Sequence, residues 1–217
     1  MGINKNTIRF LVDLESNNNR DWFTENKPRF VEAVADFTGY LDELIAEIST
    51  FDESLSGVKA KDCIFRIYRD VRFSKDKSPY KPHFSAYVAG GGRKTMNPGY
   101  YVHLDPFQSF IAGGKYMPDA EELTKIRTNI VEKLPEFQNI LDESNFKKAF
   151  GEMSKEYALK TAPKGFPKDH EAIELLKLKS FTVSRKCSEK EICNLKFVTD
   201  NFRTMKPFLD FLKNSLT

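Results

Sequence analysis

Hydrophobic positions in the N-terminal third recur at helical spacing. Ile8, Leu11, Val12 and Leu14 form a short stripe that Asn6 or Thr7 can cap. Asn17-Asn18-Asn19 should end it, because asparagine side chains bond their own backbone and favour turns. A second start lies near Pro28. Beyond it Phe30, Val34, Phe37, Leu41, Leu44 and Ile48 follow at steps of four, three, four, three and four, the apolar stripe of a long amphipathic helix. Gly39 interrupts that stripe at a helix-propensity cost of up to about 1 kcal/mol relative to alanine, which suggests close packing there.

The middle of the chain changes period. Over 64–73, Phe65, Ile67, Val71 and Phe73 alternate with Arg66, Tyr68, Asp70 and Arg72, which predicts a strand. Further strands are expected at Phe84–Val88, Tyr100–Leu104 and Phe107–Ile111, separated by Gly90-Gly91-Gly92…Pro98-Gly99 and by Asp105-Pro106. Their short connections favour antiparallel pairing. The remainder returns to helix. Leu123, Ile126, Ile130 and Leu134 follow Asp119, and Pro135 interrupts them. Asp169 can cap a short helix with Ile173 and Leu176. Phe181-Thr182-Val183 reads as a fifth strand. Ser188 with Glu191 forms a capping box for a C-terminal helix in which Pro207 kinks the chain or starts another helix. The expected fold is α+β: a central, mainly antiparallel sheet over about 64–112, joined by 181–184, with N- and C-terminal helices packed on it. One domain spans 1–217, divided into N-terminal helices (1–58), a sheet region (59–118) and a C-terminal helical region (119–217).

Composition sharpens this picture. With 40% hydrophobic residues and 19 phenylalanines the chain is no disordered polymer, and no stretch approaches the ~20 apolar residues of a membrane helix. The net charge of +3 is unevenly spread. Residues 1–58 hold 5 Lys/Arg against 11 Asp/Glu, whereas 59–118 hold 11 against 4. A concentrated basic region attracts phosphate, carboxylate or nucleic acid, unless the acidic N-terminal third neutralises it in the fold. Cys63, Cys187 and Cys193 are odd in number and lack C-x-x-C spacing, so neither a disulfide framework nor a zinc ribbon is expected. Reduced thiols and the absence of a leading apolar stretch point to the cytoplasm.

The basic excess centres on 59–81, with eight cations and three anions. Same-face neighbours on a strand lie about 7 Å apart, where like charges repel by roughly 2 kcal/mol at an effective dielectric near 20. Asp70 offsets one cation; the others need acids from elsewhere, water or a bound anion. Arg69 falls on the apolar face with Phe65, Ile67 and Val71, so it must find a carboxylate or be re-aimed by a bulge. Three arginines favour planar, bidentate recognition of carboxylate or phosphate. The competing reading is an internal network locking the sheet to acidic helices, around Asp36, Asp42 and Glu43.

Arg66-Ile67-Tyr68-Arg69-Asp70-Val71-Arg72-Phe73-Ser74-Lys75-Asp76-Lys77-Ser78-Pro79-Tyr80-Lys81 resembles the signature of a widespread, mainly bacterial family catalogued as a domain of unknown function. The resemblance extends through Asn18–Phe23, Tyr100–Leu104, Ala112–Pro118 and Pro163–Phe166. It implies fold class and compartment. The family carries no established activity, cofactor or catalytic residues, so mechanism is left to the residues.

The expected function is binding of a small anionic ligand, phosphate- or carboxylate-bearing, by Arg66, Arg69 and Arg72, with Lys77 and Lys81 as secondary charges and Tyr68 and Tyr80 as hydroxyl donors. Asp70 would orient an arginine, and Asp70 and Asp76 are the acid–base candidates should any reaction occur. The alternatives are a protein-interaction or structural module and, second, nucleic-acid binding, against which stand the pI of ≈ 8.6 and the mixed charges. No membrane partner is expected. Gly113-Gly114-Lys115 offers either backbone N–H groups to an anion or an ordinary strand-to-helix turn. Gly90–Thr95 lacks P-loop spacing and reads as a hairpin tip, and no cofactor is expected. His103 and Asp105 share a strand face and could hold a metal with His83, but two of the three positions border turns. A satisfied polar pair is the expectation, with no metal assigned. Tyr87, Tyr100 and Tyr101, with Tyr68 and Tyr80, line either a pocket or cross-strand pairs.

Overall fold

The computed structural model describes residues 2–217. Helices α1 (Lys5–Ser16), α2 (Arg20–Glu25), α3 (Lys27–Ser49) and α4 (Ala60–Cys63) precede β1 (Phe84–Val88), β2 (Gly99–Leu104) and β3 (Phe110–Lys115). Helices α5 (Ala120–Glu132), α6 (Leu134–Asp142), α7 (Ser144–Phe150) and α8 (Ile173–Leu176) follow. Strand β4 (Phe181–Lys186) and helices α9 (Glu189–Ile192) and α10 (Leu195–Asn214) complete the chain. The strands form one antiparallel sheet in the order β1-β2-β3-β4, and the fold is α+β. No helix among the described residues is long and apolar enough to cross a membrane.

The packing resolves into two compact units. The first holds the chain through Thr95 with Tyr101–Ile111 and Lys186–Asp200; the second holds Met96–Tyr100, Ala112–Arg185 and Asn201–Thr217. In the first, the α3 stripe buries Phe37, Leu41, Leu44 and Ile48 completely. Each such side chain contributes roughly 1.5–3 kcal/mol of hydrophobic transfer free energy. Phe10 of α1 and Phe37 close on Phe84 of β1, with centroids 6.5 and 5.4 Å away. Asp36 pins the start of α1 by accepting from Asn4 N and Thr7 Oγ1. In the second unit, Phe137 and Phe146 pack on Phe208, and Tyr100 on Phe202.

Several local expectations change. Asn4, not Asn6 or Thr7, caps α1; Asn19 caps the additional helix α2 by accepting from Trp22 N. The Ser188–Glu191 capping box forms, but on the short helix α9, and α10 starts anew at Leu195. Pro207 stands inside α10 without ending it. Asp169 caps nothing, since α8 begins at Ile173 after Ala172. Gly113 and Gly114 lie within β3, not in a turn. A Cβ on Gly113 would overlap Met205 Sδ, and one on Gly114 the Phe181 carbonyl, so close approach excludes side chains at both. Lys115 beside them is buried and paired with Glu122, which removes an anion site there.

The strand expected at 64–73 is not regular. It makes two isolated antiparallel bridges, Ile64 with Ala86 and Tyr68 with Tyr80. Between these bridges four residue steps on one side face six on the other. The two extra residues fall around Pro82 and His83, where proline supplies no ladder donor, so the pairing bulges. Past Tyr68 only the Arg69 N to Pro79 carbonyl bond continues it, and the chain leaves as a loop.

Gly39 also departs from its expected role. It is exposed on α3, and a Cβ there meets nothing within 4 Å. Gly39→Ala should therefore stabilise the protein by about 0.5–1 kcal/mol, raising the melting temperature by roughly 1–4 °C. Thermal denaturation checks this, and a lowered midpoint would show that Gly39 is needed where it stands.

Candidate functional site

The pleat of the sheet separates two sets of side chains. Phe84, Ala86 and Val88 of β1 and Val102 and Leu104 of β2 point into the core and are buried. Ser85 and Tyr87 of β1 with His83 just before it, Tyr101 and His103 of β2 with Asp105 just after it, and Phe110 of β3 take the opposite parity. All but Ser85 are half-buried. This outward face therefore carries polar chemistry in partial shelter, a setting in which hydrogen bonds and charges count for more than in open water.

His83 and His103 meet ring to ring, their centroids 4.1 Å apart, and Phe110 stacks on His103 at 4.6 Å. Tyr101 Oη lies 3.1 Å from His103 Nδ1, and Asp105 Oδ2 lies 3.9 Å from His103 Nε2. The β2–β3 turn fixes Asp105. Its Oδ1 accepts from Phe107 N and Gln108 N, and Ser109 Oγ bridges its backbone N–H and carbonyl. One carboxylate oxygen thus holds the turn while the other faces the histidines. Burial pushes the His83 imidazole down to about 4, and His103 beside it adds to the shift. Burial lowers His103 as well, against the opposing pull of Asp105. Both shifts favour the neutral imidazole. The sequence already placed His103 and Asp105 on one face and named His83 as a possible third member; the fold brings His83 against His103 and adds Tyr101.

Of the cations expected to bind, Arg69, Arg72 and Lys77 fall in one group and Arg66 and Lys81 in a second, which Arg93 joins. Asp76 pairs with Arg69 and also accepts from Ser78 N and Ser78 Oγ. Asp70 takes Arg72 in a two-pronged pair, from Nε at 2.9 Å and Nη2 at 2.7 Å. Lys77 donates to the Val71 carbonyl. These residues hold the 69–78 loop together. Arg69 thus finds the carboxylate that its apolar setting demanded, from its own loop and not from the N-terminal helices. As acid–base candidates Asp70 and Asp76 are poorly suited. The Arg72 guanidinium lowers Asp70, and the Ser78 and Arg69 hydrogen bonds hold Asp76 far below the usual carboxylate range, so neither carries a proton to donate near pH 7.

The second group consists of Arg66, Lys81 and Arg93. No carboxylate among the described residues pairs with any of them. Lys81 Nζ and Arg93 Cζ stand over the Phe65 ring, 5.9 and 5.8 Å from its centroid. Phe65 in turn meets Tyr101 at 6.4 Å, which joins this group to the outward face. Burial lowers the Lys81 ammonium, and Arg66 lowers it further. Arg93 lies outside the basic signature, in the Gly90–Thr95 stretch read as a hairpin tip, and was not among the expected binding residues; its place follows from the Gly90–Gly92 turn, where Arg93 N donates to the Asp62 carbonyl. Of the two hydroxyl candidates, Tyr68 is exposed, whereas Tyr80 is buried and stacks on Phe23 at 3.9 Å. Cys63 and Cys193 play no part, since burial pushes their thiols up to about 11 and keeps them protonated.

The loop network has a measurable signature. A carboxylate with a depressed folded pKa supplies stability above its ordinary value, and that stability disappears as the pH falls through the folded value. The Asp76 side-chain carboxyl, followed by ¹³C NMR during acid titration, should therefore stay ionised well below the ordinary 3.8, and Ser78→Ala should move its midpoint upward. A wild-type midpoint at or above 3.8 would contradict the described pairing.

No curated protein and no solved structure matches the chain. A family model, described as "Conserved hypothetical protein (DUF2461)", matches residues 6–211, which takes in every residue of the outward face and of the basic loop. The chain is a member of this family of conserved hypothetical proteins of unknown function.

Proposed function

We propose that this protein binds a small anionic ligand, phosphate- or carboxylate-bearing, at Arg66, Lys81 and Arg93, above the Phe65 ring and beside Tyr101. One observation supports the reading: Lys81 and Arg93 stand over the Phe65 ring, Arg66 acts on Lys81, and no carboxylate among the described residues makes an ion pair with any of the three. The fold carries a desolvation and repulsion cost at Lys81 that a bound anion would offset. Charge-assisted hydrogen bonds to such a ligand contribute roughly 1.5–3 kcal/mol each. Of the residues first expected to bind, Arg66 and Lys81 keep this role and Arg93 joins them. Arg69, Arg72 and Lys77 act as struts of the neighbouring loop.

A structural reading of the basic segment is favoured for that loop alone, by the Arg69–Asp76 and Arg72–Asp70 pairs. The two readings predict different variants. Inorganic phosphate or citrate, titrated into ¹⁵N-labelled protein at low salt, should shift the Arg66, Lys81, Arg93 and Tyr101 resonances saturably. Lys81→Ala and Arg93→Ala should each weaken binding about tenfold or more, whereas Arg72→Ala should leave it unchanged. An absence of saturable shifts, or a loss of binding concentrated in Arg72→Ala, would overturn the proposal.

A further inference from the structure

We infer that His83, His103 and Asp105 form a binding site for a divalent first-row transition ion of the zinc type. One ligand atom from each residue falls within a group no more than 4.8 Å across. The His103 Nε2 to Asp105 Oδ2 separation of 3.9 Å is too long for a hydrogen bond. It is close to the roughly 3.4 Å that separates two ligands held tetrahedrally at ~2.1 Å from one zinc ion.

Three further features fit a metal better than a satisfied polar pair. Neither ring nitrogen of His83 makes a hydrogen bond to any described residue, although the ring is half-buried and packed against a second imidazole. Asp105 uses Oδ1 on the turn and leaves Oδ2 towards His103, the arrangement of a monodentate ligand. With an ion on His103 Nε2, the remaining ring proton sits on Nδ1, and the Tyr101 phenol oxygen stands 3.1 Å away to accept it. A hydrogen bond of this kind orients a ligating histidine and raises its basicity. Two nitrogens and one oxygen, with no thiolate, select a borderline ion over calcium or magnesium. Three protein ligands leave further coordination positions open. Lys81 lies near enough to act electrostatically on both histidines, which opposes a bare dication and favours one that carries an anionic ligand.

The inference rests on these ligands and not on the anion reading, and the metal alone tests it. Full-length protein stripped with a chelator is titrated with Zn²⁺ by calorimetry and with Co²⁺ by visible absorption. One equivalent should bind, with cobalt d–d bands and no intense thiolate charge-transfer band. His83→Ala, His103→Ala and the near-isosteric Asp105→Asn should each lower affinity at least about tenfold, the lower end of what losing a supporting shell residue costs. Their metal-free melting curves serve as the control for folding. Lys81→Ala should retain or strengthen metal binding, so the failure of one proposal is distinguishable from the failure of the other. Absence of saturable binding, thiolate bands that vanish on serine substitution of Cys63, Cys187 and Cys193, or affinity unchanged in Asp105→Asn would each overturn the inference.

Discussion

The pleat of an antiparallel pair is the constraint on which the candidate site depends. In β1 and β2 every second residue belongs to the core, so the residues between them are committed to the other face. Slipping β2 by one residue would bury His103 and expel Val102, and slipping β1 would do the same to Tyr87 and Ala86, rearrangements that the buried Phe84, Ala86, Val88, Val102 and Leu104 oppose. The chemistry on the outward face is therefore held in place by hydrophobic packing on the other. The bulge at Pro82–His83 adds the final adjustment. It ends regular pairing with the 64–69 segment and leaves His83 against His103 without a ladder neighbour on that side.

Charge organises the same surface. A basic segment as dense as 59–81 repels itself, and the protein relieves this in two ways. Beyond Arg69 the loop supplies its own carboxylates, Asp70 and Asp76, at short sequence separation. Before it, around Phe65, the cations spread over an aromatic ring and stay unpaired by protein acids. Exposed pairs such as Arg72–Asp70 contribute little to stability, because water and salt screen them. Their effect is to fix the loop's shape and to leave the remaining positive charge concentrated beside the sheet.

Much of this was legible in the residues. The Phe30–Ile48 stripe gave α3 almost to its ends, because a 3.6-residue period sustained over several turns has one physical solution. Strands β1, β2 and β4 were legible from alternation and turn residues, whereas the strand expected at 107–111 forms three to four residues later, at Phe110–Lys115, because Asp105 and Ser109 hold 105–109 in the turn. The 64–73 segment was misread because alternation reports which way side chains face and says nothing of whether the backbone finds partners; Pro79 and Pro82 on the pairing side deny it some of them. Gly39 was misread because a glycine in a helix signals either close packing or tolerance, and only the neighbours decide. In the site, His103 and Asp105 two residues apart were visible as a same-face pair. Their meeting with His83 depends on cross-strand register and on a bulge, neither of which a single sequence encodes locally. Arg93 was hidden for the same reason, since a turn places it far from its neighbours in sequence.

The most direct test is anomalous diffraction at the zinc edge from crystals of the full-length protein grown with zinc and inorganic phosphate. A single strong peak about 2.1 Å from His83, His103 and Asp105 ligand atoms, with phosphate density against Arg66, Lys81 or Arg93, is the expected result. Zinc bound only at the cysteines or at scattered surface carboxylates, with the β1–β2 face bare of both ions, would contradict the assignment of this face as the binding surface.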